Sequence, residues 1–193
     1  MRQVILQITT IFLLLILTAC SDKSIETNMS ADVADFKFTS QDHETFGSSD
    51  LDDEWWIAYF LYTDCEIVCP TTTPHMARLQ KELKDAGVDV QIVSFTVDPE
   101  HDTPDVLKTY AQENQADLSN WTFLTGYNFS QIKKLSEGSF QSSLEGGGPD
   151  GMQYSHTTRF FLINPEGKVI KYYDGMIMNE VDNLINDVKT VAN

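Results

Sequence analysis

The eight residues Trp55–Tyr62, WWIAYFLY, are apolar or aromatic without interruption. Such a run is far short of the roughly 20 residues that cross a membrane. A strand with one wet face would alternate instead, so this one reads as a strand buried on both faces, which needs other elements packed on each side of its sheet. A second segment, VDVQIVSFTV (Val88–Val97), rich in Val, Ile and Phe, reads as a second buried strand. Between them, TTTPHMARLQKELKDAG carries a Thr cap, Pro74 near the first turn, apolar Met76, Leu79 and Leu83, and Gly87 as a stop, which predicts an amphipathic helix. Strand, helix and strand make a βαβ unit, which commits the chain to an α/β sheet.

The remaining segments extend that sheet. FKFTSQDHETFG alternates around a polar turn and reads as an N-terminal hairpin. DTPDVLKTYAQENQ and NFSQIKKLSEGSF read as helices, with the short strand WTFLTG between them. A glycine-rich loop, SSLEGGGPDG, precedes HTTRFFLINPEGKVIKYYDG, which reads as strand, Asn-Pro-Glu-Gly turn and strand. NEVDNLINDVKTVAN closes the chain as a helix. The predicted fold is α/β and thioredoxin-like, with an N-terminal β-hairpin and an insertion before the last β-hairpin. At 193 residues the chain suits one such domain, placed at residues 35–193.

The N-terminus is of another kind. After Met1-Arg2-Gln3 comes a mostly apolar stretch whose longest unbroken run is Ile11–Leu17, ending Leu17-Thr18-Ala19-Cys20. That length fits a signal-peptide core better than a spanning helix. Small residues before a cysteine resemble a bacterial lipoprotein signal: residues 1–19 are then removed, Cys20 is lipidated, and 20–34 form a polar, flexible tether. The expected location is the extracytoplasmic face of a bacterial cell membrane, where disulfides persist. With 13 basic against 29 acidic residues, the net charge is −16. This excludes nucleic acid and argues against anionic lipid headgroups as partners.

With Cys20 assigned to lipid, two cysteines remain, in TDCEIVCP (Thr63–Pro70). They sit where the first buried strand gives way to a helix, the place where ligands gather in α/β sheets and where a helix N-terminus favours thiolate. On a regular helix, residues four apart hold their Cβ atoms about 5–6 Å apart, wider than a relaxed disulfide. Cys65 and Cys69 are therefore expected to be a reactive dithiol, suited to thiol–disulfide exchange or to converging on one ion. A permanent loop staple would close only a short loop. Of the four histidines, His43 falls in the hairpin turn, His75 on a helix surface and His101 in a loop near the site end. His156 directly precedes the strand TTRFFLI, where a thioredoxin carries its cis-proline beside the thiols, and it follows the glycine-rich loop. Two thiolates and an imidazole form a soft donor set that suits copper or zinc. Structural zinc wants four protein ligands, and the sequence offers no clear fourth. Met176 and Met178 form an M-x-M pair, a pattern that can bind Cu(I), but core or turn packing is the expectation there. Asp98 and Asp102-Thr103-Pro104 are expected to be scaffold around the site.

YTDCEIVCP, VSFTVDPEHDTPDVLKTYA, WTFLTG and SHTTRFFLINPEGKVI, in that order behind a lipoprotein-type N-terminus, resemble the Sco/SenC family of copper-binding thioredoxin-like proteins. The resemblance covers about residues 35 to 190. It implies copper, as Cu(I) or Cu(II) or both, held by Cys65, Cys69 and His156. It further implies a role in assembling the dinuclear copper centre of cytochrome c oxidase subunit II, by copper transfer, by reduction of the subunit's cysteines, or both. Subunit II and a thiol reductant of the extracytoplasmic space are the implied partners, besides the membrane holding the Cys20 lipid. Many members have Pro after the first cysteine where this chain has Glu66, which adds a negative charge beside the site. A metal-independent thiol–disulfide oxidoreductase is the chief rival. A peroxidase of the peroxiredoxin type is weaker, because P-x-x-x-T-x-x-C is absent. A pure binding module would make both cysteines dispensable.

Overall fold

The computed structural model describes residues 24–146 and 154–192. In chain order its strands are β1 (Ala31–Asp32), β2 (Lys37–Ser40), β3 (Thr45–Gly47), β4 (Trp56–Leu61), β5 (Gln91–Thr96), β6 (Trp121–Thr125), β7 (Arg159–Ile163) and β8 (Lys168–Asp174). The helices are α1 (Cys69–Asp85), α2 (Pro104–Glu113), α3 (Phe129–Ser139) and α4 (Met178–Val191).

The strands form one sheet in the order β1-β8-β7-β4-β5-β6-β2-β3. β4, β5 and β6 run parallel, with α1 and α2 as their crossovers, and the other pairings are antiparallel. All six residues of β4 are buried. Because successive strand residues face opposite sides, Tyr59 meets α1, its hydroxyl 2.7 Å from Thr72 Oγ1 and 2.9 Å from Thr73 Oγ1. Phe60 enters the layer on the other side, where it stacks on Phe95 and meets Phe140 edge-on at the end of α3. The N-terminal hairpin, the βαβ unit and the final hairpin all occupy their expected places, and the thioredoxin-like arrangement is the observed one.

Two details differ from the sequence expectation. Helix α1 starts at Cys69, ahead of the Thr-Thr-Thr cap. Thr71 and Thr72 both donate backbone N–H groups to Val68 O, each at 3.0 Å. Pro70 lies in the first turn, where its missing N–H costs nothing. Pro74 forfeits only the bond to Pro70 O, so the helix runs through it. The second detail concerns the polar stretch after Cys20. Ala31 and Asp32 pair with Val169 and Lys168 at the β8 edge, and the Asn28 side chain binds the Tyr172 backbone on both sides. Ile25, Met29 and Val33, four residues apart, pack against the core. Three spaced apolar side chains and an open strand edge are enough to lay this segment down. The proposed signal peptide and Cys20 fall outside the described residues.

Candidate metal centre

Strand β4 delivers the chain to the site. Tyr62, buried just past its end, accepts from Cys65 N through its carbonyl at 3.3 Å. The loop that follows is hooked down by Asp102, whose side chain is fully buried. Asp102 accepts Thr63 N at 3.1 Å, Thr63 Oγ1 at 2.5 Å and the Thr96 hydroxyl, with His101 Nδ1 at 3.1 Å. The aspartate expected as scaffold thus ties the cysteine loop to β5.

Helix α1 has no side-chain cap. Its first N–H, that of Cys69, points instead at Cys65 Sγ, 3.4 Å away. The sulfur occupies the capping position, at the positive end of the helix dipole, where negative charge is stabilised. Cys65 is correspondingly acidic, its thiol held down at about 3. The largest cause is a hydrogen bond from the Cys69 thiol, followed by His156 and the backbone N–H groups of Cys69 and Ile67; burial opposes them. Cys69 is pushed up for the converse reason: it is the donor to Cys65, and it is the more deeply buried. The pair behaves as one thiolate and one thiol sharing a proton. Both cysteines are free.

His156 comes from the chain entering β7. Its Nδ1 donates to Thr157 O at 2.9 Å, which turns Nε2 toward the sulfurs, and Nε2 lies 3.8 Å from Cys69 Sγ. A ring nitrogen held by a carbonyl so that the other is free is the usual orienting arrangement for a ligand histidine. The imidazole packs edge-on against Tyr62, which packs on Tyr154, and the Tyr154 hydroxyl donates to Asp98 Oδ1 at 3.2 Å. Burial, then Asp98, push the Tyr154 phenol up to about 12, so it stays a donor. Reciprocal backbone bonds between Glu145 and Ser155, at 3.0 and 2.7 Å, pinch the base of the glycine-rich loop next to His156.

Sulfur, sulfur and nitrogen of Cys65, Cys69 and His156 all lie within 4.8 Å of one another, and among the described residues this is the one cluster of its kind. The other histidines stay apart from it. His43 sits in its turn with φ 61° and pairs with Asp105 at 2.9 Å. His101 is exposed, its imidazole pushed up by the hydrogen bond to Asp102. His75, expected on the surface, is half-buried and donates Nδ1–H to Gly175 O at 2.7 Å, tying α1 to the β8–α4 turn. Met176 and Met178 correct the packing expectation: both are exposed. Gly175 is pressed against the Phe160 ring and Thr158 O, with no room for a Cβ, and the residues after it are turned outward.

The sequence reading expected Asp102 as scaffold but passed over its partner Thr63 and the supports Tyr62 and Tyr154. The one signal for Tyr154 was its place two residues before His156, with a phenol that needs a partner when it is part-buried.

Fold and cluster together define a thioredoxin-like protein with a Cys–Cys–His trio at ligand spacing. The chain belongs to the SCO1/SenC family, whose model matches residues 25–193. A SCO1/SenC family lipoprotein from Bacillus anthracis superposes with TM-score 0.83 at 41% identity, covering 88% of this chain and all of that one. BsSco, described as a member of the Sco family of cytochrome c oxidase assembly proteins with a disulfide switch, superposes with TM-score 0.79 at 40% identity over 87% of this chain and 97% of its own. Arabidopsis thaliana ScoI, solved with copper bound, superposes with TM-score 0.69 at 25% identity over 82% and 99%.

Proposed function

We propose that this protein binds copper through Cys65 Sγ, Cys69 Sγ and His156 Nε2 and assembles the dinuclear copper centre of cytochrome c oxidase subunit II. The observation that carries the reading is the convergence of those three donors within 4.8 Å. Thiolates suit Cu(I) and imidazole suits either copper state. Three donors suffice for copper, whereas a closed zinc site would want a fourth protein ligand, and the cluster among the described residues has three. Family membership, a copper-bound relative and a relative described as an oxidase assembly protein point the same way.

In this reading copper is cargo, and the thiols gate it, because a Cys65–Cys69 disulfide has no lone pairs left in thiolate form to hold the metal. Residues 1–19 are a signal peptide, Cys20 carries lipid, and the domain, which begins ahead of residue 35 with the segment laid on the β8 edge, is thereby held at the outer face of a bacterial membrane. The lipoprotein relative supports that placement.

The acidity of Cys65 favours a second reading, thiol–disulfide exchange with the same partner. The Cys65 thiolate attacks one sulfur of an acceptor disulfide, releasing the other as thiolate and forming a mixed disulfide. Cys69 then loses its proton to solvent and attacks Cys65 Sγ. Two electrons pass to the acceptor, and a thiol reductant of the extracytoplasmic space restores the dithiol.

Anaerobic titration of the reduced protein with Cu(I) and Cu(II), for wild type and His156→Ala, tests the proposal. Tight equimolar binding that weakens sharply in the variant is expected. Binding indifferent to His156 would leave the two thiols as a redox couple and the second reading in its place.

A further inference from the structure

Among the described residues, the large apolar side chains left exposed are Ile67 at 71%, Ile177 at 51%, Met178 at 42% and Met176 at 37%. All four lie at the site end of the sheet. Ile67 stands in the loop between Cys65 and Cys69. The other three follow Gly175, whose N–H binds Thr158 O at 2.9 Å, two residues from His156, and whose carbonyl takes His75 of α1. Among the described residues the other large apolar groups are buried or half-buried, so these four, beside the reactive trio, mark a surface for contact.

The chemistry of the trio says what kind of contact. Cys65 is only 8% and Cys69 only 2% exposed. An acceptor sulfur has to come within bonding distance of Cys65 Sγ or of an ion beside it, so the acceptor's surface must cover the rim. That rim is apolar at Ile67 and at Met176–Met178, and it is anionic at Asp64 and Glu66, both exposed. No Lys or Arg occurs from Thr63 to Thr73, and Arg78, beside Met178, is already paired with Glu82 and Asp182. Unbranched Met side chains adapt to a partner's contours at little cost.

We propose that Ile67, Met176, Ile177 and Met178 form the docking face for the acceptor protein, an apolar surface around a cysteine pair with Lys or Arg at its edge. This rests on the functional reading above and specifies its partner. The face positions the acceptor's sulfurs; it makes no contribution to copper affinity.

The test uses the copper-loaded, full-length protein and the soluble copper-site domain of an oxidase subunit II, its cysteines reduced, with transfer followed spectroscopically. The variant is Met176→Ser/Ile177→Ser. Both positions are exposed, and Ser at Ile177, the residue that caps α4, is a better cap than Ile, so folding is preserved. Expected are wild-type copper affinity and wild-type reactivity toward a small aromatic disulfide, with kcat/KM for transfer lowered at least ~10-fold by the two lost apolar contacts. The wild-type rate should also fall as salt is raised. A variant that transfers at the wild-type rate overturns the docking face alone. A variant slowed equally toward the small disulfide overturns it too, since the defect then lies in the thiols. A wild-type protein inert toward the domain overturns the functional reading and the docking face with it.

Discussion

Replacing Asp102 by Ala should loosen the candidate metal centre without touching Cys65, Cys69 or His156. The carboxylate is fully buried and accepts from Thr63 N, Thr63 Oγ1 and Thr96 Oγ1, with His101 Nδ1 as a fourth neighbour. His101 is exposed and turns to water when the carboxylate is lost, and a hydroxyl can rotate toward another acceptor. The Thr63 N–H has a fixed direction and stays unpaired. A hydrogen bond to a charged acceptor contributes about 1.5–3 kcal/mol, and leaving a buried donor unmet costs about 1–3 kcal/mol. The three inner bonds share one carboxylate and are not additive, so the expected loss is about 3–4 kcal/mol. For a domain of this size that corresponds to a fall in Tm of about 6–16 °C. Urea denaturation of reduced, metal-free protein measures it directly, with an unchanged m-value showing that only stability moved. Thr63→Val in the same background completes a cycle, and the two changes should be strongly sub-additive. A loss under ~1 kcal/mol, or full additivity, would refute the argument that Asp102 holds the cysteine loop to β5.

Two further outcomes follow from the same geometry. Because Cys65 is held at about 3 with Cys69 as its donor, thiolate absorbance near 240 nm should report about one thiolate per reduced domain from pH 8 down to pH 5 and fade only toward pH 3. Cys69→Ala should move that fading to higher pH, and a wild-type midpoint near the ordinary thiol value would contradict the capping role of the sulfur. The stability term has a definite sign: the Cys65 contribution is complete above the unfolded thiol's pKa and is lost as pH falls through about 3. Cys69 acts in the opposite sense, stabilising below the ordinary thiol value and losing that effect at more alkaline pH. Finally, Gly175→Ala would put a Cβ 2.7 Å from the Phe160 ring and from Thr158 O. Overpacking of this kind costs about 1–3 kcal/mol, and thermal unfolding that matches wild type would show that the turn gives way freely.

The fold was legible in the sequence to the extent that it rests on local pattern. The unbroken apolar run of β4, the β-branched and aromatic residues of β5, the 3.6-residue recurrence of Met76, Leu79 and Leu83, and the Gly and Pro punctuation act within a dozen residues, where periodicity and burial are the same statement. The two cysteines and His156 were legible because thiols and an imidazole at a strand end have few bland explanations. Tertiary structure decided what depends on residues distant in the chain. It set α1 back to Cys69, so that Cys65 sulfur caps the helix. It laid Ile25, Met29 and Val33 against the core because the β8 edge and an apolar surface were there to receive them. It brought His156 Nε2 to 3.8 Å from Cys69 Sγ across 87 residues of sequence, with Tyr62, Tyr154 and Asp98 behind it. It also left Met176, in the turn after Gly175, and Met178, the first residue of α4, exposed where packing was expected. Side-chain periodicity carries no information about such meetings; they exist only once the sheet has placed β4, β7 and β8 side by side.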